Sequence, residues 1–205
     1  MNIAVIAAQG AVKEHIDAAN RALRRLDISG SAFATIKKEE VARSDAIILP
    51  GGESTTISKL IHRSSVAEEI KRAAGEGKPV MGTCAGAILL AKHGDEQTKK
   101  TQTRLLGLMD ITIKRNAFGR QKESFQIPLH IRHIGTFDAV FIRSPAITGT
   151  GERVEVLATL DEHVVAARQD NLLALSFHPE LTDDTRIHEY FIRMGLENNT
   201  PQSMQ

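Results

Sequence analysis

The sequence predicts an α/β fold in which a mixed, mostly parallel central sheet carries helices on both faces and an antiparallel extension. Three observations lead there. In the first half, short continuous apolar runs alternate with segments of helical periodicity, and the unit strand, loop, helix recurs three times, as a parallel sheet requires. In the second half, apolar runs follow one another with turn residues between them, the pattern of antiparallel pairs. No linker, repeat or low-complexity stretch divides the 205 residues, so residues 1–197 are read as one domain and the polar NNTPQSMQ, 198–205, as a frayed tail.

Ile3 to Ala8 is a continuous apolar run of the kind buried on both faces of a parallel sheet, and Val12, Ile16, Ala19, Leu23 and Leu26 then recur at helical spacing. Ala46 to Leu49 makes a second buried strand, closed by Pro50-Gly51-Gly52. Ser54 or Thr55 can then cap a helix that runs through Ile57, Leu60 and Ile61. A further helix is expected from Val66 to Ala74, a third strand from Lys78 to Gly82, and a helix from Ala85 to Lys92. Gly107 to Lys114, Ser124 to Ile131, Ala139 to Ile142, Val154 to Thr159, Val164 to Arg168 and Leu172 to Phe177 read as strands. A last helix from Asp183 to about Leu196 sets Ile187, Tyr190, Phe191 and Met194 on one face.

Composition narrows the function classes. The 26 basic and 25 acidic residues nearly cancel and form no long run of one sign. The charge footprint of a nucleic-acid or membrane-surface binder is therefore missing, and the expected partner is a small molecule or another protein. No apolar stretch reaches the roughly 20 residues that span a bilayer. The opening MNIAVIAAQG has neither the charged start nor the cleavage site of a signal peptide, so a cytoplasmic protein is expected. Neither IAVIAAQGAV nor PGGESTT matches the glycine spacing of a dinucleotide or phosphate loop, and no cofactor is expected. With one cysteine, Cys84, there is no internal disulfide and no cysteine-based metal cluster. His130 and His133, three apart on a strand, point to opposite faces and do not share an ion, so no metal is expected.

The chemistry gathers where strands end. In GKPVMGTCAGAILLAK, Cys84 sits at a strand-to-helix junction with Gly82 and Gly86 two residues to either side, a nucleophile elbow with sulfur in place of oxygen. Side chains at the flanking positions would collide with the neighbouring strand or helix. The positive end of the helix starting at Ala85 favours negative charge on the sulfur, from which a packed core cysteine would gain nothing.

A thiol needs a base, and of eight histidines His178 stands out, at the carboxyl end of the buried run LLALSF where active sites of open α/β sheets lie. In FHPE, Pro179 disfavours helix at His178, and in an extended segment residues two apart point the same way. Glu180 can then reach the imidazole and fix its tautomer. His15, His62, His93, His163 and His188 show no comparable setting. The loop PGGES offers unobstructed N–H groups at Gly51 and Gly52, and with the Ala85 N–H these make a candidate oxyanion hole.

Together GTCAG, PGGES and FHPE resemble the class I (triad) glutamine amidotransferases. The resemblance spans nearly the whole chain: AAQGAVKEH, ILPGGESTT, GTCAGAILLAK, RNAFGRQ, FIRSP and SFHPELT stand in the order of the glutaminase subunits of pyridoxal 5′-phosphate synthase, with AAQG where LQG is commoner. It implies a flavodoxin-like three-layer sandwich and hydrolysis of L-glutamine through a thioester, with Cys84 as nucleophile, His178 as base and Glu180 as its orienter. It also implies that Gly52, Glu53, Ser54, Arg115, Ile142 and Arg143 bind glutamine and that Gln9 lies near the site and a subunit interface. The implied partner is a barrel-type synthase subunit that combines the ammonia with a pentose phosphate and a triose phosphate. The rival expectations are the glutaminase subunit of another amidotransferase, a related cysteine hydrolase, and a non-catalytic binding subunit of the same fold.

Overall fold

The computed structural model describes residues 1–115, 117–118 and 124–197. The expected frayed tail at 198–205 and part of RNAFGRQ lie outside the described residues. β1 (Asn2–Ile6) leads to α1 (Val12–Arg25), which buries Ala18, Ala19, Ala22 and Leu23 on one face. There follow β2 (Ser31–Thr35), α2 (Lys38–Arg43), β3 (Ala46–Leu49), α3 (Ser54–Arg63), α4 (Val66–Gly75), β4 (Val80–Thr83) and α5 (Ala85–Leu90). The second half runs β5 (Ala91–His93), α6 (Glu96–Lys100), β6 (Met109–Lys114), β7 (Ser124–Ile131), β8 (Gly135–Ile142), β9 (Ala146–Thr150), β10 (Glu155–Leu160), β11 (His163–Gln169) and β12 (Leu172–Leu175). A 3₁₀ turn, Pro179–Leu181, precedes the closing α7 (Arg186–Glu197).

The main sheet has the order β2-β1-β3-β4-β12-β11-β9-β6-β5, with β10 added on β11, while β7 and β8 form a separate antiparallel pair. From β2 to β12 every neighbour is parallel, and from β12 to β6 every neighbour is antiparallel. This corrects one expectation. Leu172–Leu175, read as part of an antiparallel half, pairs parallel with β4, Ala174 opposite Gly82 and Leu175 opposite Thr83, and antiparallel with β11. Its four residues are all buried, as a strand between two others and two layers must be.

Period-two alternation distributes these strands over two cores. Ile6, Ile47, Leu49 and Val80 pack on the side of α2 to α5, with Val41, Ile57, Ile61, Ile70 and Leu89. Ile3, Val5, Ile48, Met81 and Leu175 face α1, α7 and the β7–β8 pair, through Leu23, Phe191, Ile192, Phe137 and Phe141. Sequence reading missed β2, α2, β5, α6 and β9. β2 is an edge strand of SAFAT with a half-exposed face and no continuous apolar run, and α2 buries only Val41. The helix expected to Lys92 stops at Leu90, because Ala91 turns to extended backbone and pairs with Met109 of β6.

Candidate active site

The carboxyl ends of β3, β4 and β12 are neighbours in the sheet, so the loops that follow them converge at one edge, where open α/β sheets place their ligands. After β4 comes Cys84, with φ 50° and ψ −107°, a strained conformation for a side-chain-bearing residue. Its N–H donates to Leu175 O at 2.8 Å, and its own carbonyl accepts from Ile88 N–H at 3.2 Å, so the strained residue is pinned from both sides. The flanking glycines are sterically required. A Cβ on Gly86 would lie 2.0 Å from Leu49 O, and one on Gly82 would lie 2.5 Å from the Gly86 carbonyl carbon. α5 is six residues long, shorter than the sequence pattern suggests.

After β12, His178 holds its place through N–H donation to Val140 O at 2.8 Å. Its Nδ1 lies 2.8 Å from Glu180 Oε1. The route to this contact differs from the one expected: Glu180 sits in the 3₁₀ turn, and it is the turn, with Pro179 in its first position, that brings the carboxylate round to the ring. Both groups are buried, His178 to 8% and Glu180 to 4% exposure. Gly51 lies between thiol and imidazole: a Cβ there would meet His178 Cε1 at 2.7 Å and Cys84 Cβ at 3.4 Å. Any side chain at 51 would separate the two, which explains the glycine better than turn geometry does.

These groups open into a cavity of about 560 Å³ lined by Cys84, Ala85, His178, Gly52, Glu53, Ser54, Gln9, Arg115, Ile142 and Arg143. Every expected site residue thus reaches the cavity except Gly51, which separates thiol and ring, and Glu180, which stands behind the ring. One detail corrects the sequence reading. α3 is capped by Glu53, whose carboxylate accepts from Thr55 N–H at 3.0 Å and Thr56 N–H at 2.7 Å, and not by Ser54 or Thr55. A longer side chain reaching past two hydroxyl residues outcompetes them for the same orphan donors. The Glu53 carboxylate is held below its usual range by these N–H groups, against the upward push of partial burial, and its N–H donates to Gln9 Oε1 at 2.8 Å. Arg115 is anchored to the wall: its N–H donates to Asp95 Oδ2 at 2.8 Å and one terminal nitrogen to Thr103 Oγ1 at 2.8 Å. Its Nε is buried without a hydrogen-bond partner among the described residues.

The electrostatics favour charge separation. Burial acts to lower the His178 pKa, but the Cys84 sulfur and the Glu180 carboxylate outweigh it and push it up to about 10. Burial acts to raise that of Glu180, yet His15 and His178 hold it below the usual carboxylate range. A cysteine sulfur, an imidazole that stays protonated at neutral pH, and a buried carboxylate form a set suited to acyl transfer from an amide.

Comparison with known proteins identifies the family. A model of the SNO glutamine amidotransferase family matches residues 5–197. The chain belongs to that family. Among its relatives, the Archaeoglobus fulgidus protein named pyridoxal 5′-phosphate synthase subunit PdxT is 64% identical over 95% of this chain and 98% of its own. A Methanosarcina barkeri protein of the same name is 51% identical over 97% of this chain and 100% of its own. A crystal structure described as glutamine amidotransferase superposes with a TM-score of 0.84 at 44% identity, covering 94% of this chain and 98% of that one. The Thermotoga maritima PurLQS structure, at 17% identity and a TM-score of 0.60, shares the fold.

This SNO-family chain also holds pocket residues that sequence reasoning passed over. Ile88, Gln97 and Pro145 line the cavity. Ile88 was accessible in principle, one helical turn beyond Cys84; Gln97, on the short α6, carried no local signal. His15 is the main correction. Given no setting by the sequence, it is fully buried with Nε2 3.3 Å from Glu180 Oε2 and 3.0 Å from Thr83 Oγ1.

His15 and His188 are both held below the ordinary histidine value of 6.5, burial being the leading cause. A depressed native pKa means that below pH 6.5 the unfolded chain takes up protons the folded one refuses, so stability is lost as pH falls through that value. The urea midpoint is expected to fall between pH 6.5 and 5.5, below the range in which His178 adds stability as pH drops, with up to about 1.4 kcal/mol lost per pH unit for each group. His188→Gln should make the slope shallower. A midpoint constant over that range would contradict the assignment.

Proposed function

We propose that the chain is the glutaminase subunit of a pyridoxal 5′-phosphate synthase, hydrolysing L-glutamine to glutamate and ammonia. The observation that carries the reading is that Cys84 and His178 line one cavity on either side of Gly51, with the His178 ring 2.8 Å from the Glu180 carboxylate. The names of the relatives, as subunits of pyridoxal 5′-phosphate synthase, support a synthase partner. The Cys84 thiolate attacks the side-chain amide carbon of glutamine. The negative oxygen that forms is met by N–H groups of the Gly51–Gly52 loop and Ala85. The His178 imidazolium gives its proton to the nitrogen as the C–N bond breaks, so ammonia leaves and a thioester remains. Neutral His178 then takes a proton from water, whose oxygen attacks the thioester and displaces the sulfur. Glutamate leaves, and the thiolate and imidazolium are restored. Arg115, which lines the cavity, suits the substrate α-carboxylate by charge-assisted hydrogen bonding, and Arg143, beside Ile142, brings a second cation to the lining.

The ammonia goes to a barrel-type synthase subunit that combines it with a pentose phosphate and a triose phosphate. The test is ammonia release from L-glutamine by the chain alone and mixed with such a subunit. Little release alone and clear stimulation on mixing are expected. Full turnover alone, unchanged by the synthase, would remove the partner. No release from glutamine in the mixture, with hydrolysis of γ-glutamyl peptides, would reassign the chain to the related cysteine hydrolases.

A further inference from the structure

Behind the carboxylate lies a pair of buried imidazoles that this reaction does not use. His15 on α1 and His188 on α7 are both 0% exposed, with ring centroids 5.4 Å apart and His15 Nδ1 3.2 Å from His188 Nε2. His15 Nε2 stands between two parts of the site: Thr83 Oγ1, in the residue before the nucleophile, at 3.0 Å and Glu180 Oε2 at 3.3 Å. Oε2 is buried and makes no well-formed hydrogen bond among the described residues, as is also true of His188 Nδ1.

These positions select one tautomer for each ring. A bare Nε2 on His15 would set a lone pair against a buried carboxylate oxygen at 3.3 Å; a proton there turns repulsion into attraction. With Nε2 protonated and the ring neutral, Nδ1 is an acceptor and must receive a proton from His188 Nε2. The unpartnered His188 Nδ1 is then a lone pair and not a stranded N–H. The opposite assignment strands an N–H on His188 and opposes a lone pair to Glu180. The other groups that bear on the pair are few: Glu14 and Arg21 on α1, and His178 from the turn. β1 and β2, packed against α1, carry no titratable side chain.

We propose that His15, oriented by His188, is a positioning residue for the triad: its Nε2–H, hydrogen-bonded to Thr83 Oγ1 and 3.3 Å from the outer oxygen of Glu180, attracts that carboxylate electrostatically and so fixes carboxylate and imidazole toward Cys84. The assignment rests on the reading of Glu180 as the group that orients His178. It also gives a task to the AAQGAVKEH block, whose glutamine lines the cavity while its histidine reaches the carboxylate from behind.

The test uses the chain with its synthase subunit and glutamine as substrate. His15→Met keeps bulk and removes the donor; His15→Gln keeps an N–H at similar reach. His15→Met should lower kcat by about 10- to 100-fold with KM within about threefold, the range for partners that orient a reacting group. It should also move the alkaline limb of kcat/KM down by about one pH unit, because a freed Glu180 holds the imidazolium less well. His15→Gln should recover most of both. In the Glu180→Gln background, His15→Met should add little further loss. If His15→Met does not fold, His188→Gln carries the test and should show a smaller shift of the limb in the same direction. Equal losses in the Met and Gln variants with an unmoved limb, or losses that simply add to Glu180→Gln, would overturn the proposal while leaving the triad standing. A fully active Glu180→Gln protein would overturn the triad reading itself, and this proposal with it.

Discussion

Cys84→Ala is expected to reduce glutamine hydrolysis by about four to six orders of magnitude, to a rate indistinguishable from background, with the synthase subunit present. The size follows from the chemistry. With no sulfur there is no thioester, and the His178–Glu180 pair has no nucleophile to serve; what remains is an oxyanion pocket and a binding site. Alanine fits the position, since Cys84 is a small buried residue pinned by backbone hydrogen bonds to Leu175 and Ile88, and its sulfur adds a long contact to Ile142 O at 3.9 Å and the charge interaction with His178. The variant should therefore fold, and its melting temperature should stay close to that of the parent. Thermal melts beside ammonia assays separate loss of chemistry from loss of fold. Substantial hydrolysis surviving in a folded Cys84→Ala protein would sink the triad assignment and favour a binding subunit.

The second large effect is on stability. Gly86→Ala should cost at least about 3 kcal/mol, because its new methyl would sit 2.0 Å from a backbone carbonyl oxygen of β3 with no flexible side chain to give way. For a chain of this length that is a fall of roughly 6–12 °C in melting temperature. Gly75→Ala is the control. A Cβ at Gly75 meets nothing within 4 Å, so alanine there should be neutral or mildly stabilising. Similar melting temperatures for the two variants would show that α5 can move away from β3, and that the elbow is less tightly held than its geometry requires.

The contrast between these glycines shows what a sequence makes legible. The strands at the centre of the sheet, β1, β3, β4 and β12, announce themselves because burial on both faces demands unbroken apolar runs. Strands β2 and β5 lie at the edges with partly exposed faces, so no such demand shapes them. The reading of β12 as antiparallel failed for another reason: which strands a segment lies between depends on the path of the chain, and no local pattern records it.

The site divides the same way. Cys84 is betrayed by its flanking glycines and Glu180 by its closeness to His178, both short-range consequences of backbone geometry. His15 and Thr83 are drawn in by contacts across the fold, 173 residues separating His15 from His188, and a lone histidine on a helix face carries no mark of that. The cap of α3 was misread because Ser54 and Thr55 have better intrinsic preference than Glu53, which wins by geometry.

The place of β12 between β4 and β11 has a temporal consequence. On the ribosome, the elbow and its thiol emerge long before Leu172–Leu175 can slide in beside β4 and deliver the imidazole. On the proposed mechanism, the growing chain holds a cysteine with no base through most of the second half of its synthesis, and so would consume no glutamine. Reactivity arrives together with completion of the sheet, and a chain cut short before that strand would be inert by construction.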